Sequence, residues 1–228
     1  SGANGSSFTT PALSNNTSYW VRVSNSAGNA DSNTAIATVM IAPAISGHPP
    51  SGSIASGAAT TLTVSASGSS LGYQWYAGTS GTTTNPIAGA TGSSYTTPNL
   101  TTSTEYWVRV SNAVGSANSN TATITVVQPP VITSQPASVT INSGGTATFS
   151  VSASGSGLGY QWYSGASGST ANPIAGATSS SYTTPALSAT SSCWVKVTNI
   201  AGAAISGTAT ATVTYPPVIL SQPVSTTI

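Results

Sequence analysis

Charge is what this chain has least of. Among 228 residues there are three Lys or Arg and two Asp or Glu, and His, Cys and Met occur once each. A net charge of +1 supplies no basic footprint for nucleic acid. No apolar run reaches the length of a membrane-spanning helix. A single cysteine forms no disulfide framework within one chain. With one His, one Asp, one Glu and one Cys, acid–base and nucleophilic catalysis lack their usual pairs, so no enzyme activity, metal or cofactor is expected. Disorder is excluded from the other side: disordered chains are poor in apolar residues and high in net charge, and this one is 38% hydrophobic.

What fills the chain instead is hydroxyl. Ser and Thr number 79, with 23 Gly and 14 Pro. A surface nearly free of titrating groups loses little stability as pH changes, and low net charge favours association. Both suit a protein outside the cell, so an extracellular or cell-surface location is expected. The chain starts at Ser1 and its one Met is Met40. Any targeting signal is therefore expected to have been removed or to lie upstream, and the chain reads as part of something longer.

The strongest pattern is an internal repeat. YQWY occurs at Tyr73–Tyr76 and Tyr160–Tyr163, a spacing of 160 − 73 = 87. YWVRV at Tyr19 and Tyr106, and its variant CWVKV at Cys193, keep the same spacing, as do PPVITSQP at Pro129 and PPVILSQP at Pro216. The register divides the chain into the C-terminal part of a repeat at 1–41, complete repeats at 42–128 and 129–215, and the first strand of a further repeat at 216–228. Head and tail together lack the counterparts of 142–174, where two central strands are expected. The incomplete end is open to completion by the same chain or by a neighbour.

Each repeat is expected to be all-β. Thr146–Ser154 alternates small polar residues with Ala147, Phe149, Val151 and Ala153, the period of a half-buried strand. Gly- and Ser-rich stretches at 78–81 and 165–168 punctuate as turns. No amphipathic helix is found. About seven short strands in 87 residues point to an antiparallel sandwich. The Pro-Pro joints at Pro129 and Pro216 favour extended geometry, which predicts a rod-like tandem array.

At YQWY and YWVRV the repeat resembles the immunoglobulin-like domains, disulfide-less and I-set-like, that recur in large secreted or cell-surface proteins of bacteria. The resemblance implies that Trp75 and Trp162 are the core Trp of strand C, and that Tyr19 and Tyr106 are the tyrosine corner. It also implies that Val64 and Val151 occupy the first disulfide position, and Val21, Val108 and Val195 the second. Losing the bridge removes a constraint worth ~2–4 kcal/mol; burying a Val returns roughly 1.5–3 kcal/mol per side chain. Cys193 replaces the corner Tyr, so 129–215 is expected to be the less stable complete repeat.

All three cations share one repeat position, Arg22, Arg109 and Lys196. Alternation along strand F turns Tyr106, Val108 and Val110 inward, and therefore Trp107 and Arg109 outward. Trp20 with Arg22 and Trp194 with Lys196 follow, and Tyr76 and Tyr163 join them from strand C. These eight residues form a candidate interface or ligand face. Three readings stay open: an aromatic cover with a cation–π contact of ~0.5–1 kcal/mol, a dock for another chain, or a platform for a sugar ring. Cys193 has no base in its repeat and is expected in the core. His48, at the position of Gln135 and Gln222, is expected to be a surface variant. Asp31 and Glu105 occupy non-equivalent positions. Sequons at Asn4, Asn15, Asn16 and Asn99 are accounted for by chance.

The expected function is structural: a segment of an extracellular fibre, filament or surface stalk, bundled with copies of itself through strand donation or the aromatic face. The alternatives are an adhesin or carbohydrate-binding module, with glycans as partners, and a spacer within a larger secreted enzyme. Nucleic acid and membrane insertion are not expected.

Overall fold

Segments that alternate apolar with small polar residues and are rich in Thr, Val, Tyr and Trp suit a pleated surface buried on one side. The computed structural model describes residues 2–226, and its regular elements are all strands. The head holds β1 (Thr17–Tyr19), β2 (Arg22–Asn25), β3 (Gly28–Asp31) and β4 (Ala35–Ala37). Nine more follow: β5 (Ala44–Gly47), β6 (Gly52–Ala55), β7 (Thr61–Thr63), β8 (Ser65–Ser67), β9 (Gly72–Ala77), β10 (Ser94–Thr96), β11 (Thr104–Ser111), β12 (Ser116–Asn118) and β13 (Ala122–Val127). The last nine are β14 (Val131–Ser134), β15 (Val139–Asn142), β16 (Thr148–Ser150), β17 (Ser152–Ser154), β18 (Gly159–Ser164), β19 (Ser181–Thr183), β20 (Ser191–Asn199), β21 (Gly202–Ile205) and β22 (Ala209–Thr214). Eight of these nine start 87 residues after their counterparts, and β21 starts one residue earlier than that spacing.

The chain divides into two compact units whose boundary cuts through the 42–128 repeat. One comprises Ser1–Pro50, Thr61–Tyr95 and Glu105–Ala122; the other comprises Ser51–Thr60, Thr96–Thr104 and Thr123–Ile228.

The second unit contains the 129–215 repeat whole. Its main sheet runs β15–β22–β20–β18, with β21 also on β20. The β15–β22 pair is parallel, with Val139 beside Ala211, and the other pairs are antiparallel. The ladders β14–β17 and β16–β19 form the other layer of an immunoglobulin-like sandwich. Phe149, Val151, Trp162, Cys193, Val195 and Val197 belong to one buried cluster between the layers. The Trp162 indole Nε1 donates to the Ser179 carbonyl at 2.9 Å, which satisfies its polar edge inside the core. The expected strand Thr146–Ser154 is broken at Val151. Its halves pair with different partners, and the Val151 N–H donates to the Ser180 carbonyl at 2.9 Å. The same unit holds β6 parallel to β13, with Gly52 beside Ile124.

In the first unit β9 pairs with β11, and β12 with β11, in the registers of their counterparts in the second. Leu62, Val64, Trp75, Val108 and Val110 are buried. Asn112 Nδ2 donates to the carbonyls of Ile41 and Ser69, both at 2.7 Å. Asn199 does the same for Gln128 and Ser156, at 2.8 and 3.2 Å. The Asn in each complete repeat thus holds the backbone that enters it. Gly68, at φ 141°, lies in the same turn, where a Cβ would come within 3.0 Å of the Ala42 carbonyl and 2.9 Å of Leu71.

Two expectations are corrected. Residues 216–226 contain no strand, and residues 227–228 lie outside the described residues. The counterpart β14 forms by pairing with β17, and residues 216–226 align with 129–139, short of the position of β17. Val21, assigned to the core, is 51% exposed and Val23 is 66% exposed, whereas their counterparts Val195 and Val197 are 0% exposed. Residues 1–41 align with 175–215 and so do not include the positions of Phe149, Val151 and Trp162, which share the buried cluster with Val195 and Val197. Tyr19 is half-buried beside Phe8, with ring centroids 5.5 Å apart.

Candidate interaction face

Along β20, Cys193, Val195 and Val197 belong to the core cluster and Trp194 does not, so alternation turns Trp194 to the opposite face as expected. That face is closed. Trp107 and Trp194 are both 0% exposed and Tyr76 is buried; Tyr163 is half-buried. Register sets Tyr76 opposite Trp107 and Tyr163 opposite Trp194. Their rings stack at centroid distances of 4.5 and 4.6 Å with 12° between planes, a geometry that adds ~0.5–1.5 kcal/mol beyond burial. The expectation of an exposed aromatic face at Tyr76, Trp107, Tyr163 and Trp194 is therefore corrected.

The segment after β9 and β18 reaches the far side of β11 and β20, where Ser80 bonds to Ser119 and Thr121 and Ser167 to Ser206 and Thr208. The Gln74 amide donates to the carbonyls of Trp75 and Ile87 at 2.9 and 2.8 Å, and Gln161 donates to Trp162 and Ile174 at 2.8 Å each. Backbone bonds continue the return: Ile87 N–H to Trp75 O at 2.9 Å, Trp75 N–H to Ala90 O at 3.0 Å and Ala77 N–H to Asn85 O at 3.1 Å. The outer edge of β9 is occupied by its own chain, which removes an open edge. Arg109 and Lys196 are half-buried beside the stacks. Trp107 Nε1, Arg109 Nε and Trp194 Nε1 are buried without hydrogen-bond partners.

The head differs. Trp20 is 55% exposed, with the Arg22 guanidinium 5.3 Å from its ring centroid. Arg22 also grips Asp31 with two bonds, Nε to Oδ1 at 2.7 Å and Nη2 to Oδ2 at 2.8 Å. That bond raises the Arg22 pKa and holds the Asp31 carboxyl below its ordinary value. A group with a lowered folded pKa contributes stability above its unfolded value, lost as pH falls through the folded one. The β2–β3 hairpin is thus expected to loosen only in acid. An NMR titration of Asp31 with a midpoint at or above that of free Asp would contradict the pairing. Phe8, Tyr19, Trp20, Val21, Val23 and Ala35 line an open groove of about 760 Å³.

Cys193 is buried as expected, and burial pushes its thiol up to about 11 from an ordinary 9.0. The thiolate attacks reagents and the thiol does not. The native chain at pH 8 is therefore expected to resist iodoacetamide and to react fully once denatured. Stability should decline as pH rises from 9.0 towards about 11, because the unfolded thiol ionises first. Rapid labelling of native protein would overturn this. Among the described residues no cluster of three or more His, Cys, Asp or Glu is placed to hold a metal, and no helix is long and apolar enough to cross a membrane.

Sequence reasoning missed a set of recurring hydrogen bonds. His48 Nδ1 accepts the Asn120 N–H at 3.1 Å, and Gln135 Oε1 accepts the Gly207 N–H at 2.9 Å. Three residues on, Ser51 accepts the Thr123 N–H and Ser138 the Thr210 N–H, at 2.9 and 3.0 Å. His48 is exposed, as expected, and serves in addition as a structural acceptor. The available signal was an acceptor side chain followed three residues later by Ser, at the repeat period.

The sandwich layers, the Trp of strand C and the parallel β15–β22 pair define tandem immunoglobulin-like domains. Comparison with known proteins agrees at the level of domain and fold. Residues 127–217 match the family described as "Ig-like domain CHU_C associated", and residues 48–128 match one described as a domain of unknown function, DUF8696. No curated protein matches the sequence. Among solved structures, the chain resembles titin domains I67–I69 in an E-to-A variant, with TM-score 0.61 and 18% identity over 81% of this chain and 70% of that one. It resembles Sidekick-1 immunoglobulin domains 1–4, with TM-score 0.53 and 20% identity over 86% of this chain and 58% of that one. It also resembles Drosophila OTK extracellular domains 3–5, with TM-score 0.51 and 16% identity over 86% and 70%. At these identities the likeness is one of fold.

Proposed function

We propose that the chain is a structural segment of an extracellular fibre, filament or stalk on a bacterial surface, built of tandem immunoglobulin-like domains and associating with copies of itself. The observation that carries this reading is the recurrence, at 87 residues, of both the strands and the Asn that holds the incoming backbone, Asn112 and Asn199. A joint secured by the same side chain in successive repeats suits a linear array under load. The near-absence of charge removes long-range repulsion between neighbouring chains. Sugar stacking at the repeat period is disfavoured, because the rings of Trp107 and Trp194 have no exposed surface. Electron microscopy of the native material tests the reading. Continuous filaments with a regular axial repeat are expected; separate short rods, with saturable binding on a glycan array, would replace it with the adhesin reading.

A further inference from the structure

One cation recurs at the repeat period, as Arg22, Arg109 and Lys196, and the residue opposite it on the next strand changes. Register sets Arg22 beside Asp31 on β3, Arg109 beside Asn118 on β12 and Lys196 beside Ile205 on β21. These partner positions are themselves 87 residues apart. At the first, a carboxylate takes the guanidinium through Nε and Nη2. In the complete repeats an amide and an alkyl group stand in its place. The cation recurs and its counter-charge does not.

No other residue of either repeat supplies one. Lys196 is the only charged residue of 129–215. The one carboxylate of 42–128 belongs to Glu105, and its Oε2 accepts the Thr79 hydroxyl at 3.0 Å. Arg109 Nε is buried without a hydrogen-bond partner. So are Trp107 Nε1 and Trp194 Nε1, each two residues before the cation on the same face of its strand. The rest of both cations is only half-buried, so part of each side chain stays open to solvent. A charge partly withdrawn from water attracts an opposite charge more strongly than a fully hydrated one.

We propose that Arg109 and Lys196 each bind an anionic group from outside the chain, in the place that Asp31 fills beside Arg22, and that the ligand is an acidic polysaccharide carrying carboxylates. A second copy of the chain is a poor source. Its Asp and Glu side chains are Asp31, held by Arg22, and Glu105, half-buried and bonded to Thr79. Acidic polypeptides crowd their charges and call for clustered cations. Here one cation per repeat stands in a surface of hydroxyls and amides, and Asn118 is exposed directly across from Arg109. A uronic acid matches that pattern, with one carboxylate among several hydroxyls. Its ring need not stack, so the burial of Trp107 and Trp194 does not oppose it. This goes beyond the fibre reading and does not depend on it.

Retention of the full chain on immobilised polygalacturonate tests the proposal, with fully methyl-esterified polymer and polyglutamate as comparison supports. The acid form is expected to hold the chain and release it as salt is added. Arg109→Gln with Lys196→Gln should weaken retention by about ten-fold or more, the worth of a charge-assisted bond. Each substitution alone should fall between, and Arg109→Lys, which keeps the charge, should bind where Arg109→Gln does not. Asp31→Asn frees Arg22 and should strengthen retention. In an NMR titration with galacturonate, the N–H signals of Arg109 Nε, Trp107 and Trp194 should move. Those of Trp75 and Trp162 should not, because they already donate to the Gly92 and Ser179 carbonyls. Unchanged retention in the double variant, or no gain in Asp31→Asn, would overturn the proposal. Equal retention by the esterified polymer or by polyglutamate would overturn it too, since neither offers a sugar carboxylate. Filaments in the native material are decided separately by microscopy and stand whatever this experiment returns.

Discussion

Replacing Trp194 with Ala is expected to destabilise the 129–215 repeat by about 3–5 kcal/mol, the range for emptying a large buried aromatic site. The same substitution at Trp20, the identical repeat position, should change little. Trp194 is 0% exposed and stacked on Tyr163, whereas Trp20 is 55% exposed. Hydrogen exchange on the full chain separates the two. The amides of β20 should lose roughly 100- to 3,000-fold protection in Trp194→Ala, since 1.4 kcal/mol is a factor of ten. Trp194→Phe is expected to be milder, because the indole N–H it removes has no partner and burying such a donor costs ~1–3 kcal/mol. Equal effects at Trp20 and Trp194 would mean that the stack does not hold the sheet.

That contrast marks how far the sequence could be read. Alternation set Trp107 and Trp194 opposite Val108 and Val195, because a strand's side chains have a fixed period of two. The repeat spacing located the strands for the same local reason. Burial of the aromatic face was illegible. It depends on the segment after β9 and β18 reaching the far side of β11 and β20, where Ser80 bonds to Ser119 and Thr121 and Ser167 to Ser206 and Thr208, about 40 residues away, a tertiary event with no periodic signature. The acceptor role of the exposed His48 was hidden for a related reason. Its value lies in a backbone N–H 72 residues distant, and only its alignment with Gln135 and Gln222 exposes the shared acceptor chemistry. The break at Val151 was likewise hidden, because an unbroken alternation does not reveal that two halves of one strand pair with different partners.

Ser206→Ala should cost about 1–3 kcal/mol, the penalty for stranding a buried donor. Ser206 is 1% exposed and lies between β21 and β22, where the chain leaves one stretch of β20 and rejoins another. Its Oγ accepts the Val195 N–H at 2.9 Å and donates to the Gly207 carbonyl at 2.8 Å, while its own N–H donates to the Val195 carbonyl at 2.9 Å. One small hydroxyl thus satisfies the middle of a core strand that β21 and β22 both leave unpaired. Ser119 makes the same bonds to Val108, and Ser32 to Val21. The three sites share chemistry and differ in burial, so they form a controlled series. Ser206→Ala and Ser119→Ala should each release the amide of the partnered Val to exchange, by about ten-fold or more. Ser32→Ala should not, because Val21 is exposed and water takes the place of the hydroxyl. A uniform response across the three would show that the hydroxyl's role is local to its turn. A graded one would tie it to the desolvation of the strand it serves.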